Sequence, residues 1–283
     1  MTPLPAFTMP EIRLIALDLD GTLLNSEKQL SQVNRAALER AADMGIHIVP
    51  TTGRFYGGMP YVIRALPFIR YVITINGAQC ADLCEDKILY SAEIPWQQAV
   101  DIMTFLDGFP VLYDCYQRND AWMTAAQKEH IDAVVSDPHY RKMLHQLRKP
   151  VLDLKETLKA RQEGAQKIQF FTDKPEVRVF LMEELPRRFP DLCVSSSMPQ
   201  NVEINQKDAN KGQALLALCA HLGLDRSQTL AFGDGLNDLS MLKQAGIGVA
   251  MENASDTVKA AADYITLSCD ADGVAAGICK FCF

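Results

Sequence analysis

Short, almost wholly apolar runs that stop at glycine, aspartate or asparagine recur along this chain, and they restrict its fold more than any other feature. Residues 12–17 run into DLDG at 18–21, residues 46–49 into TTGR at 51–54, residues 71–75 into Asn76 and Gly77, and residues 229–232 into GDG at 233–235. A strand covered on both faces shows no polar alternation, so such runs read as central strands of a parallel sheet. Helical segments lie between them. Residues 31–44 place Val33, Ala37, Leu38 and Ala41 on one face, with Ser31 as N-cap and Gly45 as the stop. Residues 211–222 form another, capped by Asn210. A helix at 236–244, a strand at 246–250, a helix at 255–262, a strand at 264–267 and a closing helix from Gly273 complete the pattern. Strands alternating with helices predict an α/β fold with a doubly wound parallel sheet.

The middle reads differently. Residues 96–106 are helical, and 111–116 and 122–124 flank Arg118, Asn119 and Asp120 as an antiparallel hairpin. A polar helical stretch at 125–147, a strand at 167–172, a helix at 175–189 and strands near 193–197 and 202–204 follow. This predicts an α+β domain at 86–205 inserted between core halves at 1–85 and 206–283, with 1–10 a loose leader. A chain of 283 residues, 48% hydrophobic, has length enough for two such units.

A net charge of −7 argues against a nucleic-acid partner. No run reaches the ~18–20 apolar residues of a membrane span. The eight cysteines, with no secretion signal, read as reduced thiols of a cytoplasmic protein. Cys80, Cys84, Cys279 and Cys282 could be drawn as a zinc site, but ordinary buried or surface thiols outweigh that reading.

Four signals fall where a strand ends or a helix begins, the edge at which open α/β sheets bind ligands. Asp18 and Asp20 are carboxylates that could divide labour as nucleophile and acid/base, although Asp-Gly also suits a plain turn. Thr51 to Arg54 offers a hydroxyl and a glycine amide to phosphate oxygens, or simply a turn. Lys211 sits in a first helical turn, where a cation opposes the helix dipole unless an anion lies nearby. Asp234 and Asp238 are hard oxygen ligands suited to magnesium.

Together these segments resemble the haloacid dehalogenase superfamily, and within it the Cof-type phosphatases with a type IIB cap. DLDGT at 18–22, TTGR at 51–54, NKG at 210–212 and GDGLND at 233–238 carry the likeness. NGA at 76–78, GVAMENA at 248–254, AADYIT at 261–266 and DGVA at 272–275 support it. TTGR stands where many relatives have ATGR, and MENA where MGNA is common. The resemblance implies a Rossmann-like core with the inserted domain as a cap. It implies that Asp18 attacks phosphorus to form an aspartyl-phosphate while Asp20 protonates the leaving alkoxide and then activates water. Thr52, the Gly53 amide, Lys211, the Leu19 amide and Asn237 would hold phosphoryl oxygens. Mg²⁺ would sit among Asp18, the Asp20 carbonyl and Asp234, with Asp238 in support. Arg54 and Asn76 are candidates for holding or positioning the substrate.

The function so implied is a magnesium-dependent phosphatase of small phosphorylated metabolites, either sugar phosphates or cofactor phosphates such as flavin mononucleotide or pyridoxal phosphate. A sugar phosphomutase, a phospho-acceptor and a phosphosugar-binding protein are the alternatives. The inserted domain and Asp20 count against the phospho-acceptor. Tyr116, Arg118, Trp122 and Met198 are candidates to face the substrate from the cap, each with an ordinary hairpin or core explanation. The sequence leaves the oligomeric state open.

Overall fold

In the computed structural model, residues 11–283 are described apart from Ser197 and the side chain of His139, so the expected leader at 1–10 lies outside the described residues. The chain opens with β1 (Leu14–Leu17) and β2 (His47–Pro50), then an antiparallel trio of β3 (Tyr71–Thr74), β4 (Gln79–Asp82) and β5 (Lys87–Ser91). It continues through β6 (Leu112–Gln117), β7 (Asp120–Thr124), β8 (Arg148–Val151), β9 (Lys167–Phe171), β10 (Leu192–Ser195) and β11 (Asn201–Gln206). It returns with β12 (Thr229–Gly233), β13 (Ile247–Ala250) and β14 (Tyr264–Ile265).

The order β14-β13-β12-β1-β2 forms a parallel sheet, as its apolar runs predict. Alternate residues of β1 feed opposite layers. Ile15 and Leu17 join Leu38 and Ile278 on one side, while Leu14 and Ala16 join Leu215 and Leu242 on the other. Helices Gln32–Asp43 and Gly273–Cys282 therefore cover one face, and Lys211–Leu222 and Leu239–Gln244 the other. Ser31 caps its helix as expected, accepting from the Asn34 amide at 3.0 Å.

Several local expectations shift. After β3 the chain turns back as β4 and β5 instead of entering a helix, with a parallel bridge from Thr51 to Ile73 tying the trio to β2. Asp82 fastens the β4–β5 turn, taking two bonds from Arg70 and the Cys84 and Glu85 amides. By number β5 falls inside the expected insertion, yet it pairs beside the core. The polar stretch at 125–147 is not one helix. It breaks into Ala125–Lys128, Ile131–Val134 and Pro138–Leu147, because Asp137 caps a new start and Pro138 cannot continue an old one. The helix at 255–262 shortens to Asp256–Lys259, and the strand at 264–267 to Tyr264–Ile265.

A second sheet, β10-β11-β9-β6-β7-β8, is antiparallel except where β7 meets β8. Helices Trp96–Leu106, Leu154–Arg161 and Pro175–Arg188 cover its outer face through Ile102, Leu158 and Leu181. The β6–β7 hairpin forms as predicted, with Arg118 and Asn119 at φ 51° and 61°, the twist that two-residue hairpin turns prefer. The inner face meets the core through an apolar patch in which Tyr116 packs edge-on against Phe55 at 5.6 Å. The Asn119 carboxamide accepts from the Tyr56 amide at 2.9 Å.

Gly77 is the tightest join between β3 and the Lys211–Leu222 helix. Its φ is +92°, and a Cβ there would lie 2.3 Å from the Asn210 main chain. Gly77→Ala should lower stability by about 2–4 kcal/mol in urea unfolding. Gly45→Ala, at φ +82° with open space around it, should cost only about 1 kcal/mol.

Candidate active site

The motifs converge at the C-terminal ends of β1, β2 and β12. Asp18 follows β1, its amide donating to Phe232 of β12 at 3.0 Å, so strand pairing fixes its backbone. Lys211 opens its helix with no exposed surface, and Nζ donates to Asp18 Oδ1 and Asp238 Oδ1 at 2.6 Å each. Asp238 is fully engaged, because its Oδ2 also accepts from the Asp234 and Gly235 amides at 3.0 and 2.9 Å. Asp234 is held by Thr22, whose hydroxyl donates to Oδ1 at 2.8 Å. Gly21, at φ +90°, lets the turn approach: a Cβ there would lie 2.5 Å from Asp234 Oδ2. Thr22 stands inside a quoted motif, yet nothing in its sequence spacing links it to Asp234, 212 positions away.

On the other side, Thr52 is buried, and its hydroxyl accepts from the Arg54 amide at 3.2 Å while keeping a proton to donate. A Cβ on Gly53 would meet Asn76 Oδ1 at 2.7 Å. Asn76, in the left-handed region at φ 56°, accepts from Asn237 Nδ2 at 3.0 Å. Leu19 buries its side chain in the core, leaving its main chain at the strand tip. Asp18, Leu19, Thr52, Gly53, Asn76, Lys211, Asp234, Asn237 and Asp238 thus come together at one sheet edge.

Electrostatics separates the two carboxylates of DLDG. Burial pushes the Asp18 carboxyl up to about 7; Lys211 opposes this, and Asp238 and Asp234 add to it. Asp234 is likewise raised, chiefly by burial. Asp20 goes the other way. Burial would raise it, but Arg54, donating from Nε and Nη2 at 2.7 and 2.8 Å, and Lys28 at 3.0 Å together hold it below the usual carboxylate range. Proton donation demands a raised pKa, so the arrangement described holds Asp20 as a paired carboxylate and not as an acid. Lys28, left-handed at φ 61°, has no part in the sequence reading.

Ligand oxygens of Asp18, Asp234 and Asp238 lie within 4.8 Å of one another, opposed only by Lys211 among the contacts just named. Three hard carboxylates against one ammonium leave a local excess of negative charge, which suits a divalent oxygen-seeking cation. With Asp238 bonded at both oxygens, Asp18 Oδ2 and Asp234 Oδ2 are the better placed ligands.

The remaining candidates divide. Tyr116 faces the core, whereas Arg118 pairs with Glu163 at the surface and Trp122 packs outward under Arg161 at 4.3 Å. Met198 lines a cavity in the cap. Cys80 and Cys219 are buried in the core and all eight thiols are free. Among the described residues no helix is long and apolar enough to cross a membrane.

A family model for haloacid dehalogenase-like hydrolases matches residues 15–278. Among curated proteins, the chain is 31% identical over 277 residues to the 5-amino-6-(5-phospho-D-ribitylamino)uracil phosphatase YcsE of Bacillus subtilis, covering 95% of each chain. It is 33% identical over 281 residues to phosphatase YwpJ of the same organism, covering 93% of this chain and 98% of the relative. Among solved structures, a haloacid dehalogenase-like hydrolase from Bacteroides thetaiotaomicron superposes with a TM-score of 0.81 at 29% identity, covering 95% of this chain and 99% of that one.

The acidic cluster generates a linked prediction. The unfolded Asp18 carboxyl releases its proton near 3.8 and the folded one near 7, so without divalent cation stability should fall as pH rises between those values. Mg²⁺ should abolish that slope and raise Tm at pH 7.5, by about 2.7 kcal/mol of stabilisation at a hundred times Kd. Asp234→Asn should lose most of the Mg²⁺ effect in the same thermal scans.

Proposed function

The chain belongs to the haloacid dehalogenase-like hydrolases, and on that premise we propose that it is a magnesium-dependent phosphatase working on small phosphorylated metabolites through an aspartyl-phosphate. The observation that carries this reading is Asp18: a buried carboxylate at a strand tip, held at one oxygen by a buried lysine, with a second carboxylate two residues on.

The chemistry follows from these positions. Lys211 and the Thr51–Arg54 turn draw the phosphoryl dianion to the strand tips, with Thr52, Gly53, the Leu19 amide and Asn237 holding its oxygens. The Asp18 carboxylate attacks phosphorus as the bond to the leaving oxygen breaks, and Asp20 supplies that oxygen's proton. Asp20, now a carboxylate, takes a proton from water, which attacks phosphorus and breaks the bond to Asp18, releasing phosphate and restoring both acids. Magnesium held by Asp18, the Asp20 carbonyl and Asp234, with Asp238 in support, would neutralise charge so that one anion can approach another.

Arg54 gives this sequence an entry step. Its guanidinium binds Asp20 through two bonds that a phosphoryl dianion can replace, since both present paired oxygens. Substrate that takes Arg54 from Asp20 removes one of the two cations holding that carboxyl low, Lys28 being the other, and so moves Asp20 toward carrying a proton. Residues 86–205, closing over the site from the six-stranded sheet, exclude water and meet the leaving group. Sugar phosphates and cofactor phosphates are the candidate substrates. The first named relative, a phosphatase named for a phosphoribityl compound, supports that range.

The test is phosphate release from a panel of such esters, with Mg²⁺ and with chelator. Asp18→Asn should abolish release, and Asp20→Asn should slow it by ~10²–10⁴-fold. Isomerised sugar phosphate without release would favour a phosphomutase instead. An Asp18→Asn variant that retains full activity would overturn the mechanism.

A further inference from the structure

Strand register decides which side chains line the inner face of the six-stranded sheet. Tyr116 stands beside Lys167, Asp114 beside Gln169, Gln169 beside Glu203, and Phe171 beside Leu112 and Asn201. Directly paired residues share a face, and Tyr116 belongs to the patch that touches the core, so these rows face the catalytic side. Arg148 joins them through Asp114 and the Tyr116 hydroxyl, at 2.7 Å each.

Asp114, Arg148, Lys167, Gln169 and Glu203 are each no more than 7% exposed. Burying four charges seldom stabilises a fold, because desolvation offsets the attraction. Arg148 Nη1 and Asp114 Oδ1 are, moreover, buried without a hydrogen-bond partner. Glu203 reaches Asn76 of the core at 3.5 Å, and Asn76 touches Asn237 and Gly53, so this wall begins beside the phosphoryl-holding turns. Its cations and carboxylates balance: Arg148 and Lys167 against Asp114 and Glu203. Among the described residues of this wall no surplus cation is left to hold a second anion. Neighbouring donors and acceptors instead match hydroxyl groups, which both give and accept.

Two residues along β11 from Glu203, about 7 Å at strand spacing, Asn201 bonds Glu203 Oε1 at 3.3 Å. Asn201 also lines a cavity of about 230 Å³ with Tyr140, Phe171, Met198 and Val135. Tyr140 belongs to wall and cavity alike, since its hydroxyl accepts from Gln169 at 2.8 Å. Gln200 clasps the rim, accepting from the Ser136 amide and hydroxyl and donating to the Val134 carbonyl. The volume is below the ~300–1,000 Å³ of a whole ligand site, which makes it a subsite for one part of a ligand. Aromatic and thioether walls suit a flat, apolar-faced group.

We propose that Lys167, Glu203 and Gln169 read hydroxyls of the leaving group and that the cavity beside Tyr140 and Phe171 seats a flat ring at its far end. The substrate is then a phosphorylated sugar or polyol that carries a ring. This rests on the phosphatase reading above, and the test separates the two.

Two matched pairs are compared: ribose 5-phosphate with uridine 5′-monophosphate, and ribitol 5-phosphate with flavin mononucleotide. In one pair the ring should raise kcat/KM by roughly tenfold or more, and which pair does so distinguishes a cyclic sugar from an open chain. Met198→Trp, filling the cavity, should collapse that ratio. Glu203→Gln should lower the ratio of the ring-free member to p-nitrophenyl phosphate, which has no hydroxyls. Ring-free members favoured in both pairs, or ratios unmoved in folded variants, overturn the proposal. Should a variant fail to fold, competitive inhibition of the unmodified protein decides: uridine or riboflavin must outdo ribose or ribitol by about tenfold. Phosphate released from none of the compounds removes the phosphatase reading. Thermal protection by the ring-bearing over the ring-free members then still supports the subsite, and equal protection sinks it.

Discussion

A lysine ammonium with no exposed surface governs how this site is assembled. Lys211 occupies the first turn of its helix, where the backbone dipole opposes a cation, and lies where an unpaired charge would cost several kcal/mol. It is tolerable only because Asp18 and Asp238 each meet it at 2.6 Å. Removing the lysine would strand two buried carboxylates. The tip of β1, the turn after β12 and the start of the helix are therefore held to one geometry, and the close glycine contact at Gly77 sets the helix at the height that geometry requires.

The same short span treats its two acids oppositely. Asp18 is inside, raised by burial and by other carboxylates; Asp20 is at the mouth, lowered by Arg54 and Lys28. Two residues of strand-to-turn geometry separate a group that needs a cation from one that already has two. Such a difference comes from where the turn points each side chain, and it gives the segment two chemistries from one residue type.

Much of this was legible before any coordinates. Apolar runs ending in Gly, Asp or Asn mark strands because the pattern is local and its physics is local; β1, β2 and β12 join the parallel sheet, whereas the run at 71–75 becomes β3 of an antiparallel trio. Ser31 and Asn210 cap the helices they precede for the same reason. What stayed hidden depends on partners far along the chain. Thr22 on Asp234 and Arg54 on Asp20 carry no periodic signal. β4 and β5 pair because β3 offers an edge, not because their residues alternate. The inner wall of the cap was the least legible part. LYDCYQ in β6 is buried throughout, so alternation vanishes, and Asp114 looks like any turn-forming aspartate until register sets it beside Gln169 and Arg148.

Chain order has a consequence for synthesis. Asp18 and the lysine that holds it are 193 positions apart, and β1 sits mid-sheet with β12 as one neighbour. On a ribosome adding ~5–20 residues per second, β1 and β2 emerge well before β12 does, and the whole inserted domain is made in between. During that interval one edge of β1 has no partner, and a bare apolar edge invites pairing with other chains. The inserted domain, whose strands pair among themselves, can complete its own sheet while the core waits. Translation speed through the stretch from β6 to β11 thus sets how long each nascent copy is exposed to aggregation before its core can close.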